Sequence, residues 1–265
     1  MTEYATSADG TRIGYDREGA GPPVVLVAGA MQFRAFDPTT RELAHLLAGH
    51  GFDVVNYDRR GRGDSPADPP ITLAQQVEDL AALVDVLTEG ADDAVALVGN
   101  SSGAAIALAA AAAGLPVSRL VLFEAPLDED EGPGGAEFLD GLRARIRAGD
   151  HDAAVEFFMR DMPPAWLAAA KAGEGWPVMT SIAPSLEADA EALAWTQSAP
   201  RADLWRGIRA KALVLVGSES LDLMHAAADS MVRALTDAER GTVEARDHRW
   251  EPRTLAMAIA AFLVD

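Results

Sequence analysis

Short, nearly unbroken apolar runs return along the chain: Val24-Val25-Leu26-Val27, Asp53-Val54-Val55-Asn56-Tyr57, Val95-Ala96-Leu97-Val98, Leu120-Val121-Leu122-Phe123 and Leu213-Val214-Leu215-Val216. Runs of this length without polar alternation belong to strands covered on both faces. Between them, residues 40–47, 73–87, 103–113, 224–235 and 252–263 carry apolar side chains at helical spacing with polar faces opposite. Strand followed by crossover helix, repeated, restricts the chain to βαβ units around a mostly parallel, doubly wound α/β sheet. Thr2 to Gly19, with Asp9-Gly10 as the turn, reads as an antiparallel hairpin at the sheet edge, and Val243 to Ala245 as a last strand, giving about eight strands.

One interval breaks the rhythm. Residues 128–205 hold no strand-like run, but they hold helical patterns, Pro and Gly breaks and four of the five tryptophans. This predicts a helical cap over 128–205, inserted after a strand ending near Glu124, and a core built from 1–127 and 206–265. The acidic entry, Asp128-Glu129-Asp130-Glu131-Gly132-Pro133-Gly134-Gly135, reads as a solvated hinge loop rather than a metal site. Trp166, Trp176, Trp195 and Trp205, with Met159, Met162 and Met179, read mainly as packing inside the cap, with roughly one or two of them lining a substrate pocket.

Composition narrows the chemistry. Lys+Arg 22 against Asp+Glu 41 leaves a net charge of −19, which repels phosphate backbones and anionic headgroups, so nucleic acid and membrane are not expected partners. With no cysteine there is no thiolate nucleophile, no disulfide and no sulfur ligand for a metal. Met1 to Gly10 lacks the basic start and apolar core of a secretory signal, which reads as a cytoplasmic chain. Ala104 to Leu115 is too short to cross a bilayer, which takes about 20 apolar residues, and reads as a buried helix.

Gly99-Asn100-Ser101-Ser102-Gly103 lies directly between a predicted strand and a predicted helix. That is the setting of a nucleophile elbow, where a serine sits on a sharp, strained turn and the residues two before and two after it must be small. Gly99 and Gly103 meet the requirement around Ser101. Centring the turn on Ser102 would place Asn100 and Ala104 there, a poorer fit.

With this elbow in place the chain resembles the α/β-hydrolase fold family over nearly its whole length. Asp58-Arg59-Arg60-Gly61-Arg62-Gly63-Asp64-Ser65 is similar to the family's D-x-R-G-x-G-x-S turn, for which buried ion pairs and backbone bonds are explanation enough. Val27-Ala28-Gly29-Ala30 stands where the family usually carries His-Gly after a strand; here Ala28 replaces that histidine and removes its hydrogen bonding. The resemblance implies an oxyanion hole made of the Ala30 and Ser102 backbone amides. It also implies the order serine, acid, histidine, and His248, between the last strand and the final helix, fits the base. His45, His50, His151 and His225 do not.

The acid departs from the commonest pattern. Counting three residues past Gly217, where most relatives carry aspartate, leads to Ser220, with Glu219 before it and Asp222 two beyond. Some branches, including certain haloalkane dehalogenases and the zearalenone lactonases, instead place a glutamate after the strand that follows the elbow helix, and Glu124 has that place. A carboxylate ending an apolar strand also needs a strong donor, which a histidine N–H supplies. Glu124 is the first candidate and Asp222 the alternative.

The resemblance therefore implies a cofactor-independent serine hydrolase acting on an ester or lactone of a small to medium, largely apolar small molecule. Ser101-Ser102-Gly103 with Glu124 looks somewhat like a lactonase. The alternatives are a non-hydrolytic member of the fold (lyase, perhydrolase or cofactorless oxygenase) or a ligand-binding pseudoenzyme, since fold does not fix function. Ser101 in the nucleophile's place disfavours haloalkane dehalogenase chemistry, which uses aspartate.

Overall fold

The computed structural model describes residues 2–89, 94–127 and 132–264. Its strands are β1 (Glu3–Thr6), β2 (Arg12–Gly19), β3 (Pro23–Val27), β4 (Asp53–Tyr57), β5 (Val95–Asn100), β6 (Val117–Phe123), β7 (Lys211–Glu219), β8 (Ala238–Arg246) and β9 (Arg249–Trp250). They form one sheet in the order β1-β2-β4-β3-β5-β6-β7-β8-β9. The inner pairs from β4 to β8 are parallel, while β1-β2, β2-β4 and β8-β9 are antiparallel. The hairpin at Asp9-Gly10 is therefore present at one edge. A ninth strand exceeds the expected number because β9 is two residues long, too short to leave a pattern in the sequence.

Helices α1 (Pro38–Gly49), α2 (Leu73–Thr88), α3 (Ser102–Ala112), α10 (Asp222–Ala234) and α11 (Pro252–Val264) follow strands of the sheet. Their starts are written locally. Asp37 accepts from the Thr39 and Thr40 amides ahead of α1, and Thr72 with Gln75 forms a reciprocal capping box on α2. On one side of the sheet α2, α3 and α10 enclose Val25, Leu97, Leu120, Leu122 and Val214; on the other, α1 and α11 enclose Val24, Leu26, Val54, Val121 and Leu213. Each such side chain contributes roughly 1.5–3 kcal/mol on burial, so covering both faces makes the central strands the rigid part of the molecule. The alanine-rich α3 is buried on every side from Ser102 to Ala111, which lets it lie close against β5 and β3.

Between β6 and β7 the chain is helical: α4 (Gly134–Arg147), α5 (His151–Phe158), α6 (Pro164–Ala172), α7 (Trp176–Ser181), a 3₁₀ turn (Ala183–Ser185), α8 (Leu186–Trp195) and α9 (Arg201–Leu204). Leu139, Leu142, Ala154, Val155, Leu186 and Ala190 form its own core. Helix α8 reaches further, lying against α3 as well as α4. Asp128 to Glu131, the acidic start of the predicted hinge loop, fall outside the described residues. Among the described residues no helix is long and apolar enough to cross a membrane, and no cluster of His, Asp and Glu could hold a metal ion.

Candidate active site

The chain order reverses at β3, with β4 on one side and β5 on the other, and ligands of open α/β sheets bind beyond the carboxyl ends of strands at such a switch point. Two loops meet there, one leaving β3 and one leaving β5.

The β5 loop is the elbow. Ser101 has φ 55 and ψ −128, a conformation that costs an ordinary residue on the order of 1–3 kcal/mol and persists only where its surroundings enforce it. The Ser101 amide donates to the Phe123 carbonyl at 2.9 Å, and Ala104 N–H donates to the Ser101 carbonyl at 3.0 Å. A Cβ on Gly99 would lie 2.5 Å from Ala104 Cα, and one on Gly103 would lie 2.2 Å from the Val27 carbonyl oxygen. Strand and helix can approach this closely only if both positions are glycine.

The β3 loop passes beside Ser101, because a Cβ on Gly29 would lie 3.0 Å from Ser101 Cβ. The sequence carries no histidine here, and Gln32 takes over the organising bonds. Its Oε1 accepts from Gly29 N–H at 2.7 Å and from Asn100 Nδ2 at 2.7 Å, fastening the β3 loop to the elbow. The Ala30 amide donates to no protein atom among the described residues. Ser102 opens α3, where an N–H has no intrahelical partner. Ser102 lines the cavity beside Ser101, and Ala30 follows Gly29 on the loop that passes the serine.

Glu124 follows β6 at φ 44 and is almost wholly buried. Its Oε2 lies 2.5 Å from His248 Nδ1 and its Oε1 accepts from Gly217 N–H at 2.8 Å. Burial alone would raise this carboxyl, but bonding from His248 and Gly217 outweighs it and holds it below its ordinary value. Ser220, where most relatives carry the acid, stands close enough to favour the charged form without meeting hydrogen-bond geometry. Asp222 is exposed in the first turn of α10, and Glu219 pairs with Arg246. Neither is bonded to His248.

His248 sits at φ 65 in the loop between β8 and β9, its ring stacked near those of Phe123 and Trp166. Ser101, Ser102 and His248 line one cavity of about 370 Å³, whose remaining walls are largely apolar: Leu127, Phe138, Phe158, Met162, Trp166 and Leu193 among them. Of the tryptophans and methionines singled out from sequence, Trp166 and Met162 reach it. Trp205 is fully buried, Trp176 Nε1 donates to Asp152, and Met159 and Met179 pack in the inserted helices.

The turn after β4 divides its work. Asp58 accepts from the Arg34 amide and side chain and from Asp64 N–H, while Arg60 is held by Asp79 and Asp9. Sequence reasoning missed what its other arginines do. Arg59 and Arg62, both fully buried, share Asp189 of α8: Arg59 Nη1 to Oδ1 at 2.6 Å and Arg62 Nη2 to Oδ2 at 2.5 Å. The Ser102 hydroxyl donates to the same Oδ1 at 2.6 Å. The sequence signal is weak, because Leu186 to Ala192 alternates Glu187, Asp189 and Glu191 with apolar residues, and nothing in a chain with 41 carboxylates singles out the middle one.

Ser101 on its strained turn, with His248 bound to buried Glu124, stands beyond the carboxyl ends of the parallel strands, and the fold has known counterparts. A model of the alpha/beta hydrolase family matches residues 24–258, and the chain belongs to that family. An alpha/beta hydrolase from Sphaerobacter thermophilus is 34% identical, with 98% of this chain and 100% of that one covered and a TM-score of 0.85. A thermophilic esterase from Thermogutta terrifontis (21% identity, 100% and 98% covered, TM-score 0.73) and the enol-lactonase from Burkholderia xenovorans (21%, 99% and 98%, TM-score 0.67) share the fold. A search of the curated proteins finds no match.

Proposed function

We propose that this protein is a serine hydrolase that cleaves an ester or lactone of a small to medium, largely apolar molecule through an acyl-enzyme. The observation that carries the reading is the strained Ser101 sharing a cavity with a His248 whose Nδ1 is bound by buried Glu124. With Nδ1–H donated to Glu124, the other ring nitrogen is free to take the Ser101 proton as Oγ attacks the carbonyl. The negative oxygen of the tetrahedral intermediate is met by the Ala30 and Ser102 amides, donors already fixed before reaction. His248 returns the proton to the leaving alkoxide, and water repeats the sequence on the acyl-enzyme. The apolar walls favour an apolar acyl or ring portion. The esterase and enol-lactonase that share the fold are in keeping with this substrate class. In this reading residues 128–205 act as a cap over a core of 1–127 and 206–265.

A fluorophosphonate should label Ser101, and Ser101→Ala should abolish both labelling and hydrolysis across an ester and lactone panel. An adduct mapped to Ser102, or a folded protein that resists the reagent, would refute the assignment.

A further inference from the structure

The cluster of Arg59, Arg62 and Asp189 is unusual in its charge. Two guanidiniums share one carboxylate, so the cluster carries one positive charge in excess, and all three side chains are fully buried. Burial and the neighbouring Arg59 pull Arg62 down to about 10, which still leaves it charged at neutral pH. Buried ion clusters seldom repay their desolvation against apolar packing, so stability alone is a poor reason for this one.

Its position supplies a better reason. Arg62 Nη1 donates to the Gly29 carbonyl at 2.7 Å and to the Gln32 carbonyl at 3.1 Å; Arg59 Nη1 donates to the Ala28 and Gly29 carbonyls at 3.2 and 3.4 Å. The Gly29 carbonyl and the Ala30 N–H are two ends of one peptide group. A cation bonded to the oxygen draws charge through the amide and makes the N–H a stronger donor, as in any chain of hydrogen bonds at low dielectric. The second free amide, that of Ser102, belongs to the residue whose hydroxyl Asp189 holds.

We propose that the Arg59–Arg62–Asp189 cluster arms the oxyanion hole, its arginines polarising and fixing the Gly29–Ala30 peptide while Asp189 fixes Ser102. These are positioning residues, acting through backbone groups that touch the substrate. Because Asp189 belongs to α8, the inserted helices are part of the hole's support and not only a cover. The inference rests on the serine-hydrolase reading.

The test is the kinetics of fluorophosphonate labelling of Ser101 in the full chain, resolved into a binding constant and a limiting rate. Arg62→Met and Asp189→Asn should lower the limiting rate about tenfold, less than the 10² or more lost with a whole donor, and leave the binding constant unchanged. Ser102→Ala keeps both ion pairs and should show the same pattern with a smaller, severalfold loss, which secures the test if the charged variants do not fold. Variants that weaken binding and rate together would assign the cluster to structure alone. Unchanged limiting rates in folded variants would overturn the proposal. Absence of labelling in the unmodified protein, or labelling that survives Ser101→Ala, would instead refute the serine reading on which it stands.

Discussion

Glu124 keeps its charge in a place where charge is costly, because His248 and the Gly217 amide bind both of its oxygens. A Cβ at 217 would lie 2.8 Å from Glu124 Oε1, so the glycine in β7 makes room for the carboxylate. Glu124→Gln should therefore cost on the order of 10⁴ in turnover, the loss seen when a triad acid becomes an amide, while Asp222→Asn should cost little. Steady-state kinetics on one ester decides between them; the reverse ranking would move the acid to α10. Stability should respond as well. The folded carboxyl lies below its ordinary 4.5, so its contribution is complete above that pH and drains away as pH falls through the lower folded value. Urea unfolding of the unmodified protein and of Glu124→Gln should show a gap at pH 7 that narrows by pH 3.

At the scale of elements, the junction of β5 and α3 sets the tolerance. By helix propensity alone Gly103→Ala would stabilise α3 by about 1 kcal/mol. The new Cβ, however, meets the Val27 carbonyl oxygen at 2.2 Å and the Ala28 carbonyl oxygen at 2.6 Å, and neither backbone atom can turn aside as a side chain would. Overpacking of this kind costs typically 1–3 kcal/mol, so against that gain the net change should be a destabilisation of up to about 2 kcal/mol, read from urea midpoints. A stabilised variant would mean that β3 and α3 yield more easily than their packing indicates.

Across the whole molecule, order is unevenly distributed. The central strands are buried on both faces, whereas α6 and α7 contain no buried residue. Helix α6 nevertheless brings Trp166 to the cavity and to His248. Amide hydrogen exchange should be fastest, within regular structure, over Pro164–Ala172 and Trp176–Ser181 and slowest over β5 and β6. A phosphonate adduct on Ser101 should slow exchange in α6 by filling the space beneath it. Equal protection in α6 and β5 would contradict this picture.

The sequence by itself determined the sheet, the crossover helices and the elbow, because each rests on a local rule: an apolar run for a doubly covered strand, glycines at fixed offsets where a strand turns sharply into a helix. It also brought His248 and Glu124 into consideration, through their places at strand ends. Tertiary structure decided which carboxylate meets His248, since Glu124 is 124 residues away from it and Asp222 and Glu219 lie far nearer in the chain. It also decided what holds the β3 loop without its usual histidine, and it joined Arg59 to Asp189 across 130 residues. No periodicity encodes these contacts. They arise where α8 packs on α3 and where the ends of β3, β5, β6 and β7 converge, and packing alone brings such distant polar groups to hydrogen-bond distance in a site where an unpaired charge would be too costly to bury.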